Sequence, residues 1–113
     1  MKKIVAYDTH NDILMIHNGF SGDERFKGNI DAGELILDVS TQGRIRGIEV
    51  INATAFFKDF AITPVVLENL LDADFTATMT PQRILLGFVF KSKTSMMEIP
   101  ATVVVPLEVP ARW

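Results

Sequence analysis

There is no cysteine among the 113 residues. That excludes disulfides, thiol nucleophiles and cysteine-ligated zinc, and makes a reducing compartment, the cytoplasm, the expected home. Long apolar runs are missing too. No segment approaches the roughly 20 apolar residues of a membrane-spanning helix, and the N-terminal MKKIVAYDTH has no apolar stretch behind its two lysines, so it does not read as a secretory signal. Positive charge is not in excess: 11 Lys and Arg stand against 14 Asp and Glu, a net charge of −3. Binders of nucleic acid or anionic lipid gather cations on one face, so neither partner is expected here.

Catalytic signatures are scarce as well. No Gly-x-Ser-x-Gly elbow occurs, and Ser21 sits in Phe-Ser-Gly-Asp without that context. Gly43 and Gly47 lie in or beside a hairpin, whereas a phosphate cradle leads from a strand into a helix. Histidine occurs only at His10 and His17, both read as surface residues. There is no internal repeat and no low-complexity segment.

What is present is an ordinary globular composition, 48% apolar and 22% charged, long enough for one domain over residues 1–113 with a core of its own. The plainest local signal is the hairpin of Leu35–Val39 and Ile45–Ile51 around Thr41-Gln42-Gly43. Before it, Ile4–Tyr7 and Ile13–Ile16 flank an Asp- and Asn-rich loop that suits a second hairpin. The polar stretch 20–33 accommodates a short edge strand near Glu24–Lys27, its charges discouraging edge pairing.

Asn52 reads as the N-cap of a helix over 53–61, whose Phe56, Phe57 and Phe60 form a face that covers the sheet. Thr63-Pro64 opens a second helix over 64–72, with Val66, Leu67, Leu70 and Leu71 as its stripe. Strands follow at Phe75–Met79, Arg83–Lys91 and Met96–Val109, the last interrupted by Pro100 and Pro106 and hence an edge or a broken strand. The expected fold is α+β: a mainly antiparallel sheet of about six to seven strands, with both short helices packed on one face.

Tyr7-Asp8, then Asp12-Ile13-Leu14, Leu35–Val39 and Gly43-Arg44-Ile45-Arg46-Gly47-Ile48-Glu49-Val50 together resemble domain-of-unknown-function family 2283, over about residues 3–54. Leu14-Met15-Ile16 stands where the family often has Leu-Tyr-Ile. The resemblance implies a small prokaryotic protein without assigned activity, some members being accessory or antitoxin-type partners.

Two groups of residues offer chemistry. Asp8, His10 and Asp12 place possible metal ligands at alternate positions, but the glycine and the distal glutamate of a calcium loop are missing, and a polar hairpin loop accounts for them. Asp38 and Glu49 can face each other across the central hairpin as a carboxylate pair, either splitting their pKa values for acid–base work or pairing with Arg44, Arg46 or a lysine. Neither group is a complete constellation, and no cofactor is expected.

The leading reading is therefore a non-enzymatic cytoplasmic interaction protein that self-associates or binds a protein partner. Edge-strand addition is one natural mode. A homodimer is favoured because burial is expected on both sides of Ile84–Phe90. The alternatives are a small metal- or carboxylate-dependent enzyme using those side chains, and an antitoxin-type regulator.

Overall fold

Period-two alternation runs through most of the chain, and the computed structural model, which describes residues 2–107, turns it into strands. Among the described residues there are eight: β1 (Ile4–Asp8), β2 (Ile13–His17), β3 (Phe26–Ala32), β4 (Leu35–Ser40), β5 (Ile45–Ile51), β6 (Leu70–Met79), β7 (Arg83–Ser92) and β8 (Ile99–Pro106). Two short helices, α1 (Ala53–Phe56) and α2 (Pro64–Glu68), separate β5 from β6. The expected α+β class with mainly antiparallel strands holds. The strands divide into two sheets, five-stranded in the order β1-β2-β5-β4-β3 and three-stranded in the order β6-β7-β8, with every pairing antiparallel. The C-terminal strands thus build a sheet of their own.

The inner sides of both sheets feed one core. Leu14, Ile16, Leu35, Leu37, Ile48 and Val50 come from the first, and Phe75, Ile84, Leu86, Phe88 and Phe90 from the second. Phe57, just past α1, is fully buried between them and meets Phe88 and Phe90 edge-on, with centroids 5.1 and 5.2 Å away. The aromatic face of 53–61 therefore covers sheet, as its spacing predicts, and both helices turn their buried residues inward.

Several boundaries differ from expectation. The first helix is a single turn, and Asn52 before it adopts the left-handed conformation (φ 54°) and makes no side-chain cap. Asp12, from the β1–β2 loop, takes that role: its carboxylate accepts from the Thr54 amide at 3.2 Å and from the Thr54 hydroxyl at 2.6 Å. In the second helix Thr63 caps as expected, accepting from the Val66 amide at 3.3 Å. The helix stops at Glu68, however, and Leu70 and Leu71 belong to β6. Ser92 explains the stop: its buried hydroxyl donates to the carbonyls of Val66 and Asn69 at 3.1 and 3.2 Å, tying the helix end to β7.

The strand expected near Glu24–Lys27 begins at Phe26, and Glu24 is buried rather than at an edge. Burial along Ile84–Phe90 is one-sided: alternate residues are buried, while Leu85 stays 45% exposed. β8 is an edge strand as its prolines require, and positions 108–109 of the strand expected there lie outside the described residues.

Candidate functional site: two outer sheet faces

Each sheet has a second side that the core does not use. In the five-stranded sheet the register sets Ala6, Met15, Glu49, Ile36 and Asp31 in one row across the strands. Ile4, His17, Gly47, Asp38 and Asn29 form the next row. This face is apolar through Ile13, Met15, Ile36 and Ile51 and acidic through Asp38 and Glu49. The outward positions of β1, β2, β4 and β5 include no lysine or arginine.

Asp38 and Glu49 are not opposed partners. Asp38 pairs with Gly47 and Glu49 with Ile36, so the two carboxylates sit diagonally on neighbouring strands. Arg44 and Arg46 do not serve them either; both turn to Glu24. What Asp38 does face is His17, Nε2 to Oδ2 at 4.0 Å, across Gly47. Gly47 makes this approach possible, since a Cβ there would come within 2.6 Å of the His17 ring and 2.8 Å of the Asp38 carboxylate.

His17 is buried, not a surface residue. Its Nδ1 accepts from the Gly19 amide at 2.9 Å, which fixes the tautomer with the proton on Nε2, toward Asp38. Phe20 closes over the ring edge-on at 4.9 Å. Burial lowers the His17 pKa and Arg46 adds to the effect; the Asp38 charge opposes them, and the ring is held neutral below the usual imidazole range.

The β1–β2 loop divides its side chains among separate tasks. Asp8 accepts from the side chain and amide of Asn11 and from the amide of His10, and these bonds keep its carboxyl below the usual range. Asp12 points elsewhere, accepting from the Tyr7 hydroxyl at 2.6 Å and from Thr54. Burial pushes the Asp12 carboxyl up, but those hydrogen bonds outweigh it and the net shift is downward. His10 is exposed. Among the described residues no three acidic or histidine side chains gather as a metal site would require. The loop is a clamp between β1, β2 and α1.

Sequence reading missed the most elaborate polar cluster. Glu24 is fully buried and accepts from the Ser21 amide (3.1 Å), the Ser40 hydroxyl (2.5 Å) and both Nε and Nη2 of Arg44 (2.9 Å each). Arg46 Nε lies 3.4 Å away and donates to the Gly19 carbonyl at 2.7 Å. The Arg44 fork, outweighing desolvation, holds the Glu24 carboxyl down to about 2. No local pattern marks Glu24, because its side-chain partners Ser40, Arg44 and Arg46 come from the β4–β5 hairpin.

The outer face of the three-stranded sheet is different in kind. Thr78, Leu85 and Val104 form one row, Thr76, Gly87 and Thr102 the next, and Asp74, Val89 and Pro100 the third. Leu85 and Val104 are 45% and 54% exposed. The centre carries no charge. Arg83 stands at one end, while Asp72, Asp74, Lys91 and Glu98 occupy the other.

Residues 4–53, which are β1 to β5 and the first residue of α1, match the family model described as "Protein of unknown function (DUF2283)". The match stops where the five-stranded sheet stops. No curated protein and no solved structure is a match to the chain. Among the described residues no helix is long and apolar enough to cross a membrane.

Proposed function

We propose that this protein is a non-enzymatic cytoplasmic interaction module that forms a two-fold homodimer through the outer face of its three-stranded sheet. One observation carries the reading: Leu85 and Val104, paired across β7 and β8, stand exposed in an uncharged field whose two ends differ in charge. A two-fold axis crossing the strands at Gly87 brings the uncharged rows of the two copies together and sends Arg83 of each copy to the far margin of the other, beside Lys91 and the surrounding Asp72, Asp74 and Glu98. Such a face-to-face arrangement is the ordinary way two sheets share a core.

Strand addition at β8 is the weaker mode. Leu107 donates its amide to the Gln82 carbonyl at 2.8 Å, so odd-numbered residues of this segment face β7 and even-numbered ones face the free edge. Pro100 and Pro106 fall on the even set and offer no N–H. They leave only Thr102 and Val104 as edge donors in the strand, which blunts it.

The five-stranded face suits another occupant. Two copies of it would set Asp38 and Glu49 against the same acids, so it fits a protein partner that presents lysine or arginine around an apolar stripe. This is the second surface of the same reading.

The dimer is tested by native mass spectrometry and light scattering of the full chain at micromolar concentration. The wild type is expected at twice the chain mass, and Leu85→Asp and Val104→Asp at the chain mass with unchanged circular dichroism. A monomeric wild type overturns the reading, and a dimer that survives both substitutions moves the interface elsewhere.

A further inference from the structure

At the end of the molecule where β2 and β5 meet β6, a cleft of about 440 Å³ opens between the two sheets. Arg44, Arg46 and Asn18 line it from one sheet, and Phe75, Ala77 and Met79 from the other. The Asn18 side-chain amide donates to the Phe75 carbonyl at 3.3 Å and stitches the two walls together. We infer that this cleft is a binding site for a small organic anion, a carboxylate on a short apolar body.

The charge count points there first. Two guanidinium groups share one carboxylate, Glu24, leaving one positive charge in excess at this spot of a chain whose net charge is −3. Glu24 is saturated by its contacts to Ser21, Ser40, Arg44 and Arg46, so it cannot also neutralise the guanidinium edges turned to the cleft. Among the described residues, neither Arg44 Nη1 nor Arg46 Nη1 has a hydrogen-bond partner. The Nε and Nη2 groups of both arginines are already engaged, so one Nη1 group of each is left, and two such groups suit the two oxygens of a carboxylate.

The way the arginines are held points the same way. Glu24 is fully buried whereas Arg44 stays half-exposed and Arg46 partly so; a buried carboxylate is costly unless it is paired, so it holds both guanidinium groups in place. Arg46 is the extra residue of a β-bulge, where Val39 pairs with Ile45 and Asp38 with Gly47. Bulges re-aim side chains, and this one sends Arg46 toward the Gly19 carbonyl and the cleft. The opposite wall is formed by Phe75, Thr76, Ala77 and Met79, and Ala77 and Met79, only partly buried, offer apolar surface to the body of the ligand. The volume lies within the range of small-molecule sites, about 300–1,000 Å³.

The test is a titration of the ¹⁵N-labelled full chain with hexanoate, followed by amide chemical shifts, with inorganic phosphate and 1-hexanol as separate arms. Hexanoate is expected to give saturable shifts at Asn18, Gly43, Arg46 and Ala77. Phosphate and hexanol should each bind at least about tenfold more weakly, because each supplies only half of the recognition. Arg46→Gln should abolish saturation. Because that change touches the Glu24 network and can unfold the chain, Ala77→Phe is the second variant; it fills the cleft from the other wall and should weaken hexanoate by at least about tenfold with the fold intact. The inference is overturned if hexanoate gives no saturable shift at those residues, if phosphate or hexanol binds as well as hexanoate, or if Ala77→Phe binds it as the wild type does. None of these outcomes depends on the dimer.

Discussion

The two sheets are both antiparallel, and each carries a glycine on the outer side of its central strand, yet they treat polar groups in opposite ways. The five-stranded sheet spends its ends and outer face on specific pairs: Tyr7–Asp12–Thr54, His17–Asp38, and Glu24 with Arg44, Arg46 and Ser40. The three-stranded sheet keeps charge to its margins and leaves threonine, leucine and valine outside. Lys3 bridges the two by pairing with Asp72 at 3.0 Å and with Asp74. Polar pairs of defined geometry fix register and orientation, whereas an uncharged β-surface offers area. The first sheet thus fixes its own register with polar pairs, whereas the second leaves an uncharged β-surface exposed.

The sharpest way to break this comparison is to remove what the sheets share. Phe57→Ala empties the space between them and is expected to cost about 3–5 kcal/mol. Chemical denaturation followed by both far-UV circular dichroism and amide exchange should show the two sheets losing protection together. If the five-stranded sheet keeps its protection while the other melts, the single core is wrong.

The two central glycines give the next largest contrast. Gly47→Ala drives a Cβ into the His17 ring and the Asp38 carboxylate, at a cost of about 1–3 kcal/mol. Gly87→Ala meets only the Thr76 hydroxyl, at 2.9 Å, and that group can rotate away. Thermal melts of the two variants should differ clearly, and equal losses would mean that the His17–Asp38 approach across Gly47 imposes no constraint.

Acid should separate the sheets as well. The Glu24 carboxyl falls from an ordinary value of 4.5 to about 2 on folding. Its contribution to stability is therefore full above the unfolded value and is lost as the pH drops toward 2. Glu24→Gln should flatten stability against pH in that window while lowering stability at neutral pH. His17 acts in the same direction at higher pH. Its pKa is depressed in the folded state, so stability should begin to fall once the pH drops below about 6.5, where the unfolded imidazole takes up a proton. His17→Phe removes that slope, which a pH series of urea midpoints measures.

The smallest effect on stability is expected at Leu85. Leu85→Asp lies on the outer face and should change the unfolding free energy of the monomer by no more than about 0.5 kcal/mol. A large loss at low protein concentration would mean that Leu85 belongs to the fold rather than to an interface.

Much of the architecture could be read in the chain. Leu35–Val39 and Ile45–Ile51 around Thr41-Gln42-Gly43 are a hairpin because alternation and turn chemistry act over a few residues, and β4 and β5 pair as that pattern requires. Thr63-Pro64 starts a helix for equally local reasons. The ends of elements were harder. Leu70 and Leu71 continue a helical stripe on paper, but pairing of Leu70 with Ser92 and the Ser92 bonds to the helix end outweigh propensity. The candidate site was least legible. Asp8, His10 and Asp12 look like a cluster in one dimension and serve separate bonds in three, while His17 and Glu24 look exposed and are buried.

The sequence by itself determined most of the strands, the two helix starts, the apolar spacing that marks Phe57 for a core and the edge character of β8, all through patterns local to the chain. Only the tertiary structure decided that the strands form two sheets, that Asp12 and not Asn52 caps α1, and that Glu24 is enclosed by Arg44, Arg46 and Ser40. The physical reason is range. Periodicity, caps and turns are set by neighbours along the chain, whereas burial of a charge depends on which distant partners packing brings within hydrogen-bonding reach.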